Sequence, residues 1–282
     1  MWTTNEVISM TQRLYGYAPG PFGQVHFQVW GSGIPLILCH QSPSSSEQFS
    51  AIYALLARQG IRPIGVDTPG FGMSTLPPHP PTIEEYADSV TAVLDHLGLS
   101  QAHILGQHTG SMIAMEATLR HPRRYASLIL NTPTPFTAEE RLQWSSLLTP
   151  RQKAWHPKPD GSHLVEMWNR RCTASGPWTE LAAMHREVIQ MLRAGDTLWY
   201  GHAASFEYDQ LARLASIVVP TLILTNTGDL TFKLAQRAAA RRPDFGYLEL
   251  TGGTHDIVDE QPENFAAAVV EFIGRAAAPA SP

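Results

Sequence analysis

Between residues 25 and 130 the chain alternates two hydrophobic patterns. Runs that are apolar on consecutive positions occur at Pro35–Cys39, Arg62–Val66, Ala102–Leu105 and Ser127–Leu130, and again at Val218–Leu224. Such a run suits a strand covered on both faces, as in a parallel sheet with helices on either side. Val25–Trp30 precedes the first of them, and Gly31-Ser32-Gly33 between the two has the spacing of a hairpin with a tight glycine turn. Between Pro81 and Gly98 the period changes, and Ile83, Tyr86, Val90, Val93, Leu94 and Leu97 recur at helical spacing. Thr82 followed by Glu85 supplies a capping box, in which the threonine caps a free amide and the glutamate reaches back to the cap. Strand and helix in alternation predict a doubly wound α/β domain: a mostly parallel central sheet, right-handed crossovers and helices on both faces.

The alternation stops from about Pro133 to Tyr208. That stretch has helix-period segments, the turn-rich Pro157–Gly161, and Trp144, Trp155, Trp168, Trp178 and Trp199 out of seven tryptophans in all. A helical lid over the end of the sheet is the expectation, which divides the chain into an N-terminal part of the core (1–132), a lid (133–208) and a C-terminal part of the core (209–282). Ligand pockets are largely apolar and aromatic, so Trp144, Trp168 and Trp199 are candidate substrate contacts; alternatively the rings only pack a small helical subdomain. The small-residue tail Ala276–Pro282 is expected to be disordered.

Composition narrows the partners. At 282 residues, 43% hydrophobic and 16% charged, the chain is an ordinary globule with a sizeable core. Its net charge of −5 and scattered Lys and Arg lack the basic footprint of a nucleic-acid binder, so a small, mostly neutral molecule is the expected ligand of a monomer or homodimer. Cys39 and Cys172 allow at most one bridge, and Cys39 lies in an apolar run where a buried thiol is usual, which suits a reducing cytoplasm. Nowhere do the roughly 18 apolar residues of a membrane span run together, and Met1–Arg13 has no export-signal pattern. A soluble, cytoplasmic protein is expected.

The chemistry is concentrated at His103–Met112, where a short apolar strand meets Gly106-Gln107-His108-Thr109-Gly110 and then a helix of small residues. A sharp strand-to-helix turn needs small residues flanking its strained centre, and Gly106 and Gly110 supply them. The segment resembles the nucleophile elbow of the α/β-hydrolase superfamily, whose central residue is typically serine, sometimes aspartate or cysteine. The resemblance covers nearly the whole chain. His40-Gln41-Ser42-Pro43 resembles the family's His-Gly-x-Pro oxyanion loop, and Asp67–Ser74 the loop after the next strand. Gly228-Asp229 resembles the acid-bearing strand end, and Gly252-Gly253-Thr254-His255 the histidine loop. Two departures mark a subgroup: His108 stands where the family has serine, and Gln41 where it has glycine.

The resemblance implies an Asp229–His255 dyad in which the carboxylate fixes the imidazole tautomer and His255 is the general base. His108 then has three readings: a direct imidazole nucleophile, a proton donor, acceptor or positioning group beside His255, or part of a site that binds without turnover. The oxyanion hole would use the backbone amide of Thr109 facing that of Ser42 or Gln41, with Gln107 beside the elbow as a substrate contact. Those amides survive side-chain replacement, so the chemistry is expected at a carbonyl. His40, His108, His255 and Asp229 lack the close ligand spacing of zinc motifs; no metal and no cofactor are expected, and His40 matches a family position that braces the loop. Ser111 and Cys39 read as packing residues. The expected function is hydrolysis of a small apolar or aromatic ester, lactone or carbon–carbon bond. The alternatives are a cofactor-independent lyase, decarboxylase, cyclase or oxygenase that uses the dyad as base, or a non-catalytic ligand-binding protein.

Overall fold

A computed structural model describes residues 13–176 and 180–277; Trp178, the stretch before Arg13 and the tail beyond residue 277 lie outside the described residues. The strands are β1 (Arg13–Gly20), β2 (Gly23–Trp30), β3 (Ile34–Cys39), β4 (Ile61–Val66), β5 (Ala102–Gln107), β6 (Tyr125–Asn131), β7 (Thr221–Asn226) and β8 (Gly246–Leu250). They form one sheet in the order β1-β2-β4-β3-β5-β6-β7-β8. Pairings from β4 through to β8 are parallel, and β2 runs antiparallel to both β1 and β4. Helices α1 (Tyr53–Arg58), α2 (Ile83–His96) and α3 (Thr109–Arg120) follow β3, β4 and β5 in turn. Between β6 and β7 the chain inserts α4 (Ala138–Lys153), α5 (Ser162–Ser175), α6 (Leu181–Ala194), α7 (Tyr200–Glu207) and the single turn α8 (Gln210–Arg213). Helix α9 (Phe232–Arg241) follows β7, and α10 (Ile257–Glu260) and α11 (Pro262–Ala277) follow β8.

Strand β3 shows why a continuous apolar run means a strand covered on both faces. Successive side chains point to opposite sides, so Leu36 and Leu38 pack with Phe49, Leu56, Phe265 and Val269 on one side. Ile37 and Cys39 join Val90, Leu94, Met112 and Met115 on the other. The capping box of α2 is present, with the Glu85 amide donating to Thr82 Oγ1 at 3.2 Å and the Thr82 amide to Glu85 Oε2 at 2.9 Å. The expected hairpin across Gly31–Gly33 is not: β2 turns back on β1, and β4 lies between β2 and β3. The glycines instead carry the chain from the antiparallel edge to the parallel centre. Gly33 has φ 120°, and a Cβ there would collide with the Gly60 carbonyl to which the Ile34 amide donates at 2.9 Å.

The elbow is built by the same steric logic. A Cβ on Gly106 would occupy the space of the Gly110 carbonyl, and one on Gly110 would strike the carbonyl oxygens of Cys39 and His40. Both glycines let α3 start against the ends of β5 and β3. Substituting Gly110 by alanine is therefore expected to lower stability by about 3 kcal/mol, since the obstacle is backbone. Gly274→Ala, in the solvent-facing part of α11 with open space at its Cβ, is expected to raise stability by roughly 0.5–1 kcal/mol. Denaturant midpoints of the two variants check both signs.

Candidate active site

His108 occupies the turn between β5 and α3 with φ 46° and ψ −112°, a conformation that costs a residue bearing a Cβ on the order of 1–3 kcal/mol. The turn is held by the His108 amide on Asn131 O at 3.1 Å, and by Ser111, which donates to His108 O through its amide at 2.9 Å and its hydroxyl at 2.6 Å. Ser111 also accepts from Gln210 Nε2 at 3.1 Å. It is fully buried, with its hydroxyl bound into the turn.

The imidazole of His108 turns toward the end of β7, where its Nε2 lies 2.9 Å from Asp229 Oδ2. The other oxygen of Asp229 accepts from the amide and the hydroxyl of Thr231, each at 2.7 Å. Burial alone would raise this carboxyl. The charge of His108 and the hydrogen bonds from His108 and Thr231 outweigh it and hold Asp229 well below the usual carboxylate range. The ionised carboxylate only accepts, so Nε2 is the nitrogen that carries the proton it donates, and in the neutral ring the lone pair is on Nδ1.

The expected Asp229–His255 pairing is thus replaced by an Asp229–His108 pairing. His255 does lie beside the elbow, its ring centroid 6.4 Å from that of His108, but its Nε2 faces Arg171 of α5. Arginine only donates, so this contact takes the lone pair a base would need and leaves the ring proton on Nδ1. Burial, then the charges of Arg171 and His108, push His255 well below the ordinary histidine range. Arg171 also pairs with the buried Asp256, which accepts from Ser175 Oγ at 2.7 Å. His255 is consequently a neutral group with its accepting nitrogen already engaged.

Three expectations about neighbouring groups change as well. The Gln41 amide donates to Gln48 Oε1 at 2.8 Å, which removes it from an oxyanion hole. Among the described residues the amides of Thr109 and Ser42 have no protein acceptor, and Thr109 opens α3, where amides are free by construction. Gln107 is fully buried; it accepts from Gln48 Nε2 at 2.5 Å and donates to His255 O at 2.6 Å, so both ends of its amide tie loops together. Trp144, Trp168 and Trp199 make contacts with protein groups. Trp144 tilts against Phe136 at 6.3 Å, Trp168 packs partly buried on the core, and Trp199 takes Lys153 Nζ over its ring at 3.9 Å. His40 braces its loop as expected: Nε2 accepts from the Thr68 amide at 3.1 Å and Nδ1 donates to Gln41 O at 2.7 Å, while burial lowers its pKa.

Arg171 and His202 carried no sequence signal. His202 on α7 is pushed down to about 4 by burial and by the charge of His108. It receives Gln152 Nε2 on Nδ1 at 2.9 Å and stacks on Phe206 at 6.2 Å. Phe206 in turn meets Phe136 at 6.0 Å, so an aromatic wall runs from His202 to Trp144. Both residues come from the insertion, and only its docking brings them to the elbow.

No helix among the described residues is long and apolar enough to cross a membrane. Known proteins place this architecture. The chain is 28% identical to haloalkane dehalogenase 2 of Mycobacterium bovis over 268 residues, covering 89% of this chain and 92% of that one. It is 25% identical to a putative carbamate hydrolase of Caulobacter vibrioides over 268 residues, covering 90% and 97%. Among solved structures, a thermophilic esterase from Thermogutta terrifontis superposes with TM-score 0.78 at 22% identity, covering 95% of this chain and all of that one. Residues 34–260 match the model of the alpha/beta hydrolase fold, and the chain belongs to that enzyme family.

Proposed function

We propose that the chain hydrolyses a small apolar or aromatic ester or lactone, with His108 as general base, Asp229 as its partner and residues 133–208 as a lid. The observation that carries this reading is the 2.9 Å contact between His108 Nε2 and Asp229 Oδ2. Asp229 orients the ring and offsets the positive charge that develops when Nδ1 takes a proton, the role a carboxylate has beside a catalytic histidine. Water loses that proton to Nδ1 as its oxygen attacks the carbonyl carbon. The tetrahedral oxyanion is received by the amides of Thr109 and Ser42. The imidazolium then returns the proton to the leaving oxygen as the carbon–oxygen bond breaks, giving acid and alcohol. No acyl-enzyme forms. His255, neutral and held by Arg171, offers its Nδ1 proton as a hydrogen-bond donor. The names of the relatives, a dehalogenase, a carbamate hydrolase and an esterase, support a hydrolytic reading without choosing the bond.

The test is turnover of activated esters and lactones in ¹⁸O-water. Wild type is expected to place one ¹⁸O in the acid product, and His108→Ala and Asp229→Asn to lose activity by about 10²–10⁴-fold. A product formed without ¹⁸O overturns the reading, as does a silent wild type whose His108→Ser variant gains esterase activity.

Arg171 makes a second prediction that needs no substrate. In histidine-ring NMR titrations His255 of wild type should stay neutral well below pH 6.5, the ordinary value. In Arg171→Met the His255 midpoint should move up toward that value, because a cation facing Nε2 is removed. An unchanged midpoint would show that burial alone keeps His255 neutral.

A further inference from the structure

At the antiparallel end of the sheet a cavity of about 290 Å³ opens between β1, β2, the loop after β4 and helix α6 of the insertion. It is separate from the elbow: β2 stands three places from β5 in the strand order, roughly 14 Å at the spacing of neighbouring strands. Tyr15 and Tyr17 are two positions apart on β1, so both rings project from one face of the sheet, and the register sets Tyr17 opposite His26. The His26 ring stacks on Tyr15 at 5.8 Å and tilts against Tyr17 at 5.2 Å. These three rings form an aromatic floor, although the tyrosines remain 53% and 41% exposed.

The carboxylates around the floor are hydrogen-bonded or paired, and one cation is not. His26 Nδ1 sits 2.8 Å from Asp67 Oδ2, and Asp67 also accepts from the amides of Ser46 at 2.7 Å and Met73 at 2.9 Å, so its oxygens are satisfied. Glu47 is paired with Arg13. Arg193, near the end of α6, lines the cavity with its guanidinium against Met73 and takes part in none of the ion pairs found among the described residues. An unmatched cation beside a stacked aromatic surface selects a ligand with a flat ring and a negative group.

We propose that this cavity is a second binding site, for an aromatic carboxylate whose ring lies on the floor of Tyr15, Tyr17 and His26 and whose carboxylate pairs with Arg193. The volume is at the small end of ligand pockets, about 300 Å³, and suits a single ring. Core strands supply the floor and α6 supplies the cation, so an occupied site ties the insertion to the sheet.

Benzoate is the probe, titrated by NMR into full-length wild type, Arg193→Ala and His108→Ala, with uncharged benzamide as control. The expected result is saturable binding with shifts at Tyr15, Tyr17 and His26, weakened about tenfold by Arg193→Ala and by benzamide, and unchanged by His108→Ala. Binding should also raise the thermal midpoint of wild type. No saturable binding overturns the proposal. Binding that survives Arg193→Ala but is lost in His108→Ala also overturns it, because it puts benzoate at the elbow.

Discussion

The geometry around the site depends on one strained residue held between two glycines. His108 stays at positive φ because α3 is pressed against β5 and β3 so closely that neither Gly106 nor Gly110 has room for a Cβ. Relaxing the turn would mean moving a helix off the sheet. That over-determination is how a fold sustains a conformation the isolated residue disfavours. It also sets what the site can do, since it puts the Thr109 amide at a helix start and aims the imidazole at the end of β7. The side chain at the turn can change chemistry while the backbone frame around it stays the same.

The partner of Asp229 follows from reach. A serine at the elbow is too short to approach the carboxylate, which leaves it to a histidine on the next loop. An imidazole at the same position extends far enough to take the carboxylate itself, and it does so at 2.9 Å. His255, without that partner, is taken up by Arg171 and becomes part of the bond network between α5 and the loop before α10.

Much of the fold was legible in the chain, for identifiable reasons. Strands β3 to β7 are buried on both faces and therefore apolar on successive residues, and the Thr82–Glu85 box marks the start of α2 directly. Strand β1 was missed because Arg-Leu-Tyr-Gly-Tyr-Ala-Pro-Gly carries two glycines and a proline, and β8 because it is an exposed edge strand with little burial to write a pattern. The hairpin was misplaced because a glycine turn specifies a reversal and not which strand will lie alongside. At the site, the order elbow, acid, histidine was legible, since each lies at the end of a strand. The pairing among them was not, because it depends on side-chain length and on Arg171, which lies 84 positions from His255 on a helix whose docking no local pattern encodes.

The run of amides from Gln41 through Gln48 and Gln107 to the His255 carbonyl joins three loops that are far apart in the chain. Each primary amide in it gives at one end and receives at the other, so the run has a direction, and turning one member would leave the next without a match. Nothing in it ionises. This run is thereby insulated from acidity, and a response of the surrounding loops to pH has to enter through neighbours that ionise, such as His40 beside Gln41 and Asp256 beside His255.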